Sequence, residues 1–400
     1  MIFMKIIILG AGVAGSVLAD LLTERGHQAI ILEKERRPGG MCKSYYKQGF
    51  VYEYGPHILA THNSSQKAAD YIKSKISTVE TQLTTASNFD GKNTYYPPSL
   101  HSAEVLGFGE QVRKELAQLP PKPDETNFKT YLISKVGPTL YKLFFDSFTR
   151  KFWGIEPDRL SAEWAKTRRL GESLDSKKMF FNDRWCAYPK RDWNELFENL
   201  LRQIPVVYDT DVASIDFKTK EAVTSTGDRI EFDFIVSTMH IDELFDYRLG
   251  KLQYAGYRID PVILDKPHFN QFDDQAISMT YYPQENIPYC RVTDYRTFQK
   301  KKRYPYDRRT VVTYEYPDHT IRLYPFTDCK NLALFESYLR EASRYPFLLS
   351  FGRMGLYKYL TSDTTVEMAF RALDRFDAWG SLDQEHRLNA YKSIRGDWSN

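Results

Sequence analysis

The chain opens with a short apolar run that gives way to a helical hydrophobic pattern after a glycine-rich turn. Ile6 to Leu9 are continuously apolar, which is typical of a buried parallel strand. Apolar positions then recur at helical spacing as far as Gly26, and "AIILEK" predicts a second strand. This order predicts the strand–helix–strand unit that begins a doubly wound nucleotide-binding fold.

The pattern changes twice farther along the chain. Residues 100–190 contain amphipathic helical stretches, whereas Tyr, Thr and Val alternate with polar residues in the segments predicted to form an antiparallel sheet. "FDFIVSTMH" predicts a late strand that returns to the first sheet. We therefore expect an α/β protein with a discontinuous Rossmann-like domain (1–76, 191–242 and 329–385), an antiparallel β-sheet domain (77–99 and 243–328), an inserted helical domain (100–190) and a C-terminal tail (386–400).

Composition and charge say more about the cellular compartment of the protein than about its function. Four hundred residues exceed one compact core, and a net charge of +3 gives no reason to expect a nucleic-acid partner. The four cysteines show neither metal-ligand spacing nor a dense disulfide pattern, which suits a reducing compartment. We find no signal-peptide pattern and no apolar stretch of about 20 residues. We expect a cytoplasmic protein without a metal or membrane insertion, and leave homo-oligomerisation open.

The glycine turn carries the first functional signal. Gly10, Gly12 and Gly15 form G-x-G-x-x-G between the predicted strand and helix. In this context the glycines make the turn, let the backbone approach a pyrophosphate and let the helix pack on the strand, while the helix N-terminus attracts phosphate. Glu33 ends the second strand, where a carboxylate can accept hydrogen bonds from a ribose. These features predict a dinucleotide site.

Four further motifs, in this order, make the chain resemble the UDP-galactopyranose mutase family: "GGMC", "YGPHI", "FTRKFWG" and "FGRMGLYKYL". The similarity extends from the N-terminus to about residue 370. It implies a bound FAD, active when reduced, whose N5 forms an adduct with the sugar. It also implies an isomerase that interconverts pyranose and furanose forms of a UDP-galactose-like nucleotide sugar, supplies furanose donors for glycan synthesis and needs a flavin reductant.

The resemblance also implies which residues contact the cofactor. A Gly-Gly pair after the second strand lets the chain pass close to FAD in such flavoproteins, and the histidine of the Gly-Pro-His motif lies beside the isoalloxazine. A serine and an aspartate cap the cofactor at a helix start. The cofactor-binding residues expected on this basis are Gly10, Gly12, Gly15, Glu33, Lys34, Gly39, Gly40, His57, Val212, Arg353, Ser362 and Asp363.

For the substrate, the resemblance implies an aromatic residue stacked on the base, a tryptophan beside the sugar, and arginines and tyrosines around the diphosphate. Between the neighbours Arg168 and Arg169, we favour Arg168. The expected substrate-binding residues are Phe148, Thr149, Trp153, Arg168, Phe180, Arg291, Tyr324 and Tyr359. The expected catalytic set is His57, Arg291, Arg353, Tyr324 and Tyr359.

The chain departs from the family pattern close to the flavin and to the base. Ala60 stands where a second histidine is usual, with His62 displaced by two positions, and Met41 replaces an asparagine. Phe148 and Phe180 replace tyrosines, so stacking survives and a hydroxyl contact is lost at each position. These departures leave the sugar and the base open.

Two alternatives remain at this point. The first is an amine-oxidase-like flavin oxidoreductase, which would share the glycine turn and the Gly-Gly pair but not "FTRKFWG" or the "YKY" segment. The second is a nucleotide-sugar binder without turnover, which Ala60 and Met41 favour. The sequence shows no convincing Ser-His-Asp or Cys-His set, consistent with catalysis by a cofactor rather than by a side-chain nucleophile.

Overall fold

A five-stranded parallel sheet forms the centre of the nucleotide-binding half. The computed structural model describes residues 4–60, 65–81, 83–171, 174, 186–272, 275–299 and 308–396. The strands lie in the order Val206–Val207, Ala29–Leu32, Ile6–Leu9, Phe234–Ser237 and Leu348–Ser350, and each neighbouring pair is parallel. The strand Ile6–Leu9 and the α/β fold class are as predicted from the apolar runs, because strands buried on both faces need no polar alternation.

Helices and a small antiparallel sheet complete this half. The first helix, Val13–Glu24, buries Val17, Leu18 and Leu22 and packs against the helix Ser362–Phe376. The other helices in these segments are Gln66–Lys75, Asn194–Leu200, Ile241–Leu244, Cys329–Ala342, Gly352–Gly355 and Gln384–Arg395, with 3-10 turns at Gly40–Cys42 and Trp379–Ser381. The small sheet comprises Val212–Asp216, Glu221–Thr224 and Arg229–Glu231.

The second sheet has six strands. It was predicted to be antiparallel, but it contains one parallel pair. Met279–Tyr281 runs parallel to Thr85–Ser87, while the other neighbouring pairs are antiparallel. Alternation of apolar and polar residues identifies a strand but does not reveal the direction of its neighbour. In spatial order the strands are Tyr257–Leu264, Thr310–Pro317, Arg291–Asp294, Met279–Tyr281, Thr85–Phe89 and Lys92–Tyr95. A 3-10 turn, Tyr295–Thr297, directly follows the strand Arg291–Asp294 in the chain.

The inserted segment is mainly helical and has its own apolar core. Its longest element, Phe128–Tyr141, begins with a capping box of Asn127 and Thr130 and is kinked at Gly137, where φ is 82°. The following π-helical turn, Lys142–Asp146, leads directly into the helix Ser147–Trp153. The remaining helical pieces are Leu100–Val105, Gly109–Leu116, Pro157–Arg159 and Ala162–Thr167.

Short strands join the segments. Cys186–Pro189 lies in the range expected to be helical, yet it forms a strand between Leu59–Ala60 and Thr78–Glu80. Strands this short carry little periodicity of their own, so their pairing depends on tertiary contacts. The other small pairings are Ser44–Lys47 with Phe50–Glu53, Tyr254–Ala255 with Tyr324–Pro325, and Gln271–Phe272 with Gln275–Ala276.

The C-terminal segment, predicted to be a tail (386–400), packs closely onto the parallel sheet. The Tyr391 hydroxyl accepts a hydrogen bond from the Ser350 backbone N–H and donates one to the Leu348 carbonyl. Arg395 Nε donates to the Leu356 carbonyl at 2.9 Å. The helix Gln384–Arg395 therefore supports the turn that carries Arg353. None of the helices in the described ranges has the length and apolar character needed to cross a membrane.

Candidate active site

A cavity of about 940 Å³ lies at the carboxyl ends of the parallel strands. Gly10, Glu33 and Thr238, each of which directly follows one of these strands, line its floor. Tyr281 and Arg168 line it from the six-stranded sheet and the helical segment. Open α/β sheets bind ligands at this edge, and the cavity is large enough for a cofactor and part of a substrate.

The glycines of the first turn have different tasks. A Cβ atom on Gly15 would lie 2.0 Å from the Gly10 carbonyl oxygen, so Gly15 is required by helix–strand packing. Gly12 has an ordinary φ of −73°, and a Cβ there would meet only the Gly40 Cα at 4.0 Å. The chain itself does not need glycine at position 12. The open space beside the helix N-terminus instead fits a phosphate group that approaches the backbone.

The two glycine segments form one cradle. Gly12 and Gly39 are joined by a parallel backbone bridge, and the Gly39 N–H donates to the Ala11 carbonyl at 2.8 Å. Gly39 and Gly40 both have positive φ, of 118° and 52°, which glycine adopts without strain. A cradle made of backbone with space for a pyrophosphate fits FAD.

Glu33 is buried at the cradle's edge and binds backbone with both oxygens. One oxygen accepts from the Ala11 N–H at 2.6 Å and the other from the Glu35 N–H at 2.9 Å. Each carboxylate oxygen can accept a second hydrogen bond, so a ribose hydroxyl can still be bound. Lys34, exposed, and Val212, buried, also line the cavity.

Ser362 and Asp363, the two residues expected to bind the cofactor at a helix start, lie in different surroundings. Ser362 lines the cavity, and its hydroxyl oxygen lies 3.6 Å from Cys42 Sγ. Asp363 is buried in the first turn of the same helix and does not line the cavity. The sequence therefore located the helix start correctly but not the direction of the second side chain.

His57 lies in the cavity wall between an acidic and a sulfur-bearing side chain. Its Nδ1 is 3.6 Å from Glu53 Oε2, and its backbone N–H donates to the same oxygen at 3.1 Å. Trp193 Nε1 donates to the His57 carbonyl at 3.0 Å, which fixes the backbone. Burial alone would lower the pKa of His57, but the neighbouring Cys42 and Glu53 raise it to about 10. These two neighbours therefore favour the protonated form of His57.

Cys42, which the sequence did not single out, completes this group. It is buried in the 3-10 turn directly after the Gly-Gly pair and lines the cavity. Burial raises the pKa of the Cys42 thiol, yet His57, Ser362 and Arg353 together bring it below its usual value. The structure thus brings Cys42, His57 and Glu53 together, although their spacing in the sequence matches no familiar catalytic motif.

Three arginines, Arg168, Arg291 and Arg353, also line the cavity. Arg168 donates to the Tyr359 hydroxyl at 2.6 Å, and its neighbour Arg169, which is more exposed, also lines the cavity. Arg291 forms a bidentate ion pair with Glu315, at 2.9 Å and 2.7 Å, and its Nη1 lies 3.4 Å from the Tyr281 hydroxyl. Arg353 packs over the Tyr359 ring, 4.9 Å from its centroid. Arginine forks of this kind suit a diphosphate.

Two tyrosines lie among these arginines. The rings of Tyr324 and Tyr359 are stacked, with centroids 5.6 Å apart and an interplanar angle of 20°. Burial raises the pKa of Tyr324. Burial would also raise that of Tyr359, but Arg168, Arg353 and His57 lower it. Tyr359 is accordingly the better hydrogen-bond donor of the pair.

A smaller aromatic pocket of about 80 Å³ opens beside the main cavity. Phe148 lies parallel to Phe152 with ring centroids 5.9 Å apart, and Thr149 is buried beside it. Trp153 is 6% exposed and contacts Tyr324 with ring centroids 6.5 Å apart. Arg168, Tyr257, Tyr281, Arg291 and Tyr324 line both pockets. The arrangement places aromatic rings next to the arginines, as a nucleotide requires.

Not every position named from the sequence can be placed in this site. Phe180 and His62 lie outside the described residues. The backbone of Ala60 pairs with Cys186. Met41 Sδ lies 3.9 Å from Arg353 Nη1, next to the cradle.

Sequence reasoning also missed Glu315 and Tyr281. Glu315 follows three apolar or small positions in a predicted strand, and a charged residue in such a strand is a signal that it needs a buried partner. That its partner is Arg291 depends on the strand register, which pairs these two residues directly.

Comparisons with known proteins agree with this geometry. A family model described as "UDP-galactopyranose mutase" matches residues 143–359, and one described as "NAD(P)-binding Rossmann-like domain" matches residues 8–74. The dTDP-fucopyranose mutase of Escherichia coli is 26% identical over 91% of this chain and 96% of its own length. The Klebsiella pneumoniae protein named "Probable UDP-galactopyranose mutase" is 26% identical over 93% of this chain and 94% of its own length.

A solved structure of reduced UDP-galactopyranose mutase has a TM-score of 0.79 and 18% identity, covering 99% of this chain and 98% of that one. At this identity the likeness shows the fold. The family model covers the helix with Phe148, the strand with Arg291 and the segment with Tyr359. The predicted FAD cofactor and isomerase class are confirmed with the family assignment. The chain belongs to the UDP-galactopyranose mutase family.

Proposed function

We propose that this protein interconverts the pyranose and furanose forms of a nucleotide-activated sugar and so supplies a furanose donor for glycan synthesis. The observation that carries the proposal is that Arg168 and Arg291 line the same cavity as the backbone cradle for FAD, with Arg353 between Tyr359 and Met41 beside the cradle. Cofactor and diphosphate sites therefore share one space.

The residues would hold FAD and substrate on opposite sides. The glycine cradle would bind the cofactor's pyrophosphate, Glu33 its ribose, and Val212, Lys34 and Ser362 would contact it farther along the cavity. When bound and reduced, the flavin would supply the N5 lone pair that forms the sugar adduct while the diphosphate leaves. His57, as an imidazolium, would stabilise negative charge beside the cofactor.

On the substrate side, Tyr324, Tyr359, Arg168 and Arg291 would hold the leaving diphosphate. Charge-assisted hydrogen bonds from arginine and from a tyrosine with a lowered pKa stabilise the charge that develops as the anomeric C–O bond breaks. Phe148 would stack on the base, with Thr149 beside it and Trp153 near the sugar. The relatives' names include both a UDP and a dTDP sugar, so both bases belong in the test.

The test is a substrate screen with reduced protein. UDP-, TDP- and GDP-linked hexopyranoses and pentopyranoses are incubated with dithionite-reduced protein, and furanose products are identified by chromatography and NMR. We expect a furanose product from one nucleotide class, no product from oxidised protein, and a flavin–sugar adduct after treatment with a borohydride. Nucleotide binding without product or adduct would favour the binder without turnover, and oxygen consumption with a substrate would favour an oxidase.

A further inference from the structure

Lys151 lies on the helix Ser147–Trp153, between the residues of the aromatic pocket. Its Nζ lies within hydrogen-bond distance of the backbone carbonyl oxygens of Tyr282, Gln284, Ile287 and Tyr289, which share its three N–H donors; the distances to the last three are 2.9, 3.2 and 3.0 Å. Among the described residues, no carboxylate forms an ion pair with it. The carbonyl oxygens thus surround the ammonium much as they would surround a bound metal cation.

The four carbonyls belong to the loop between the strands Met279–Tyr281 and Arg291–Asp294. The residues at the two ends of this loop, Tyr281 and Arg291, both line the main cavity and the aromatic pocket. On the helical side, Phe148 lies three positions before Lys151 and packs edge-on against Tyr281, with ring centroids 6.0 Å apart. Lys151 therefore joins the two walls between which a nucleotide would lie.

The protonated amine is the form that this cage requires. An ammonium has three N–H donors, and a neutral amine has two and gains a lone pair that faces the carbonyl oxygens. Burial lowers the pKa of Lys151 to about 8, against the opposing effect of Cys290 and Glu285. Burial raises the pKa values of Tyr282, Tyr289 and Cys290, and ion pairing with Asp146 and Glu156 raises that of Arg150. These neighbours therefore do not titrate near pH 8.

We propose that Lys151 is a positioning residue that fixes the nucleotide cleft: its ammonium ties the helix bearing Phe148 and Thr149 to the loop whose end bears Arg291. The inference rests on the proposed function, because the cleft is taken to bind a nucleotide. It assigns to a lysine outside the cavity lining the task of setting the distance between the base-stacking ring and the diphosphate-binding arginine.

The test compares Lys151→Met and Lys151→Arg with the parent, using the FAD-loaded protein and UDP and TDP as probes. We expect Lys151→Met to raise the Kd of the bound nucleotide about tenfold, with FAD content unchanged and kcat changed less than KM. Lys142→Met is the matched control, because Lys142 is exposed on the preceding turn and its partner Asp146 keeps Arg150. Its Kd should equal that of the parent.

The pH dependence of nucleotide binding is a second readout, and it would not change if Lys151 only stabilised the fold. The ratio of the Kd of the parent to that of Lys151→Arg should rise as pH passes about 8, because arginine stays charged and the ligand's own titration cancels in the ratio. Hydrogen exchange of the amides in residues 282–289 should accelerate in Lys151→Met. A lowered Tm with unchanged Kd, or a flat ratio with unchanged exchange, would overturn the proposal.

The exchange measurement also separates this inference from the proposed function. If the parent binds none of the nucleotides, the proposed function fails, and the exchange rates in 282–289 and 147–153 still show whether Lys151 couples the two segments. Unchanged rates in both segments would then refute the coupling itself.

Discussion

The two walls of the cavity are built in opposite ways. The cofactor wall consists of backbone: Gly12, Gly39 and Gly40 leave space, and the helix N-terminus provides the N–H groups. The substrate wall consists of side chains, such as Arg168 and Arg291, that come from segments more than a hundred residues apart. A backbone wall is encoded by local spacing, whereas a side-chain wall depends on strand register and helix packing.

Replacing Gly12 should have the largest effect and breaks the cofactor wall alone. Gly12→Val adds a side chain at an ordinary φ where the protein leaves space, so we expect FAD binding to be lost. The free energy of unfolding of the apoprotein should change by less than about 1 kcal/mol. Flavin absorbance after reconstitution and chemical denaturation measure the two quantities.

Gly15→Ala provides the contrast, because its Cβ would clash with the Gly10 carbonyl and the fold itself should suffer. If Gly12→Val takes up FAD as the parent does, the phosphates lie elsewhere.

The ion pair between Arg291 and Glu315 comes next. Arg291→Met leaves Glu315, whose side chain is 1% exposed, without its cation, so the free energy of unfolding should fall by about 3–5 kcal/mol. The double variant Arg291→Met/Glu315→Met should regain most of this stability and still bind nucleotide weakly. Urea denaturation and calorimetric titration with UDP and TDP separate the two roles. A double variant with the parent's nucleotide affinity would show that Arg291 serves only the fold.

A smaller effect, on nucleotide affinity, is expected from replacing Arg168. Arg168→Met removes a cation that contacts Tyr359, so the Kd of the nucleoside diphosphate should rise about tenfold to a hundredfold. Arg159→Met is the control, because Arg159 is exposed and lines neither pocket, and it should change the Kd little. Equal losses in both variants, measured by calorimetry, would contradict the placement of Arg168 at the diphosphate.

The smallest expected effect concerns His57. Cys42→Ala removes a group that raises the pKa of His57, so that pKa should fall from about 10 by about one unit. Because the folded-state pKa lies above the ordinary value, the stability contributed by charged His57 is complete below about pH 6.5 and is lost as pH rises through about 10. In the variant this loss should occur at lower pH.

The break in a plot of flavin midpoint potential against pH reports the same titration, and Cys329→Ala, at an exposed cysteine, is the control. An unchanged break would show that Cys42 does not govern His57.

The contrast between the walls also explains what the sequence revealed. Ile6–Leu9, Gly10, Gly12, Gly15 and Glu33 could be read from spacing, because they all belong to one strand–helix–strand unit and the residue that ends it. The parallel pairing of Met279–Tyr281 and the strand at Cys186–Pro189 could not, since both depend on distant partners. The partner of Arg291 and the burial of Asp363 away from the cavity likewise depend on how side chains are directed after folding.

The backbone bridge between Gly12 and Gly39 has a kinetic consequence. It fixes two loops, from either side of the second strand, to each other through main-chain contacts that need no ligand. FAD then binds to a phosphate site that is already formed, so the protein chain loses little conformational entropy on binding. Apoprotein should therefore recapture FAD in a single phase whose rate is proportional to FAD concentration, without a slow, concentration-independent folding step.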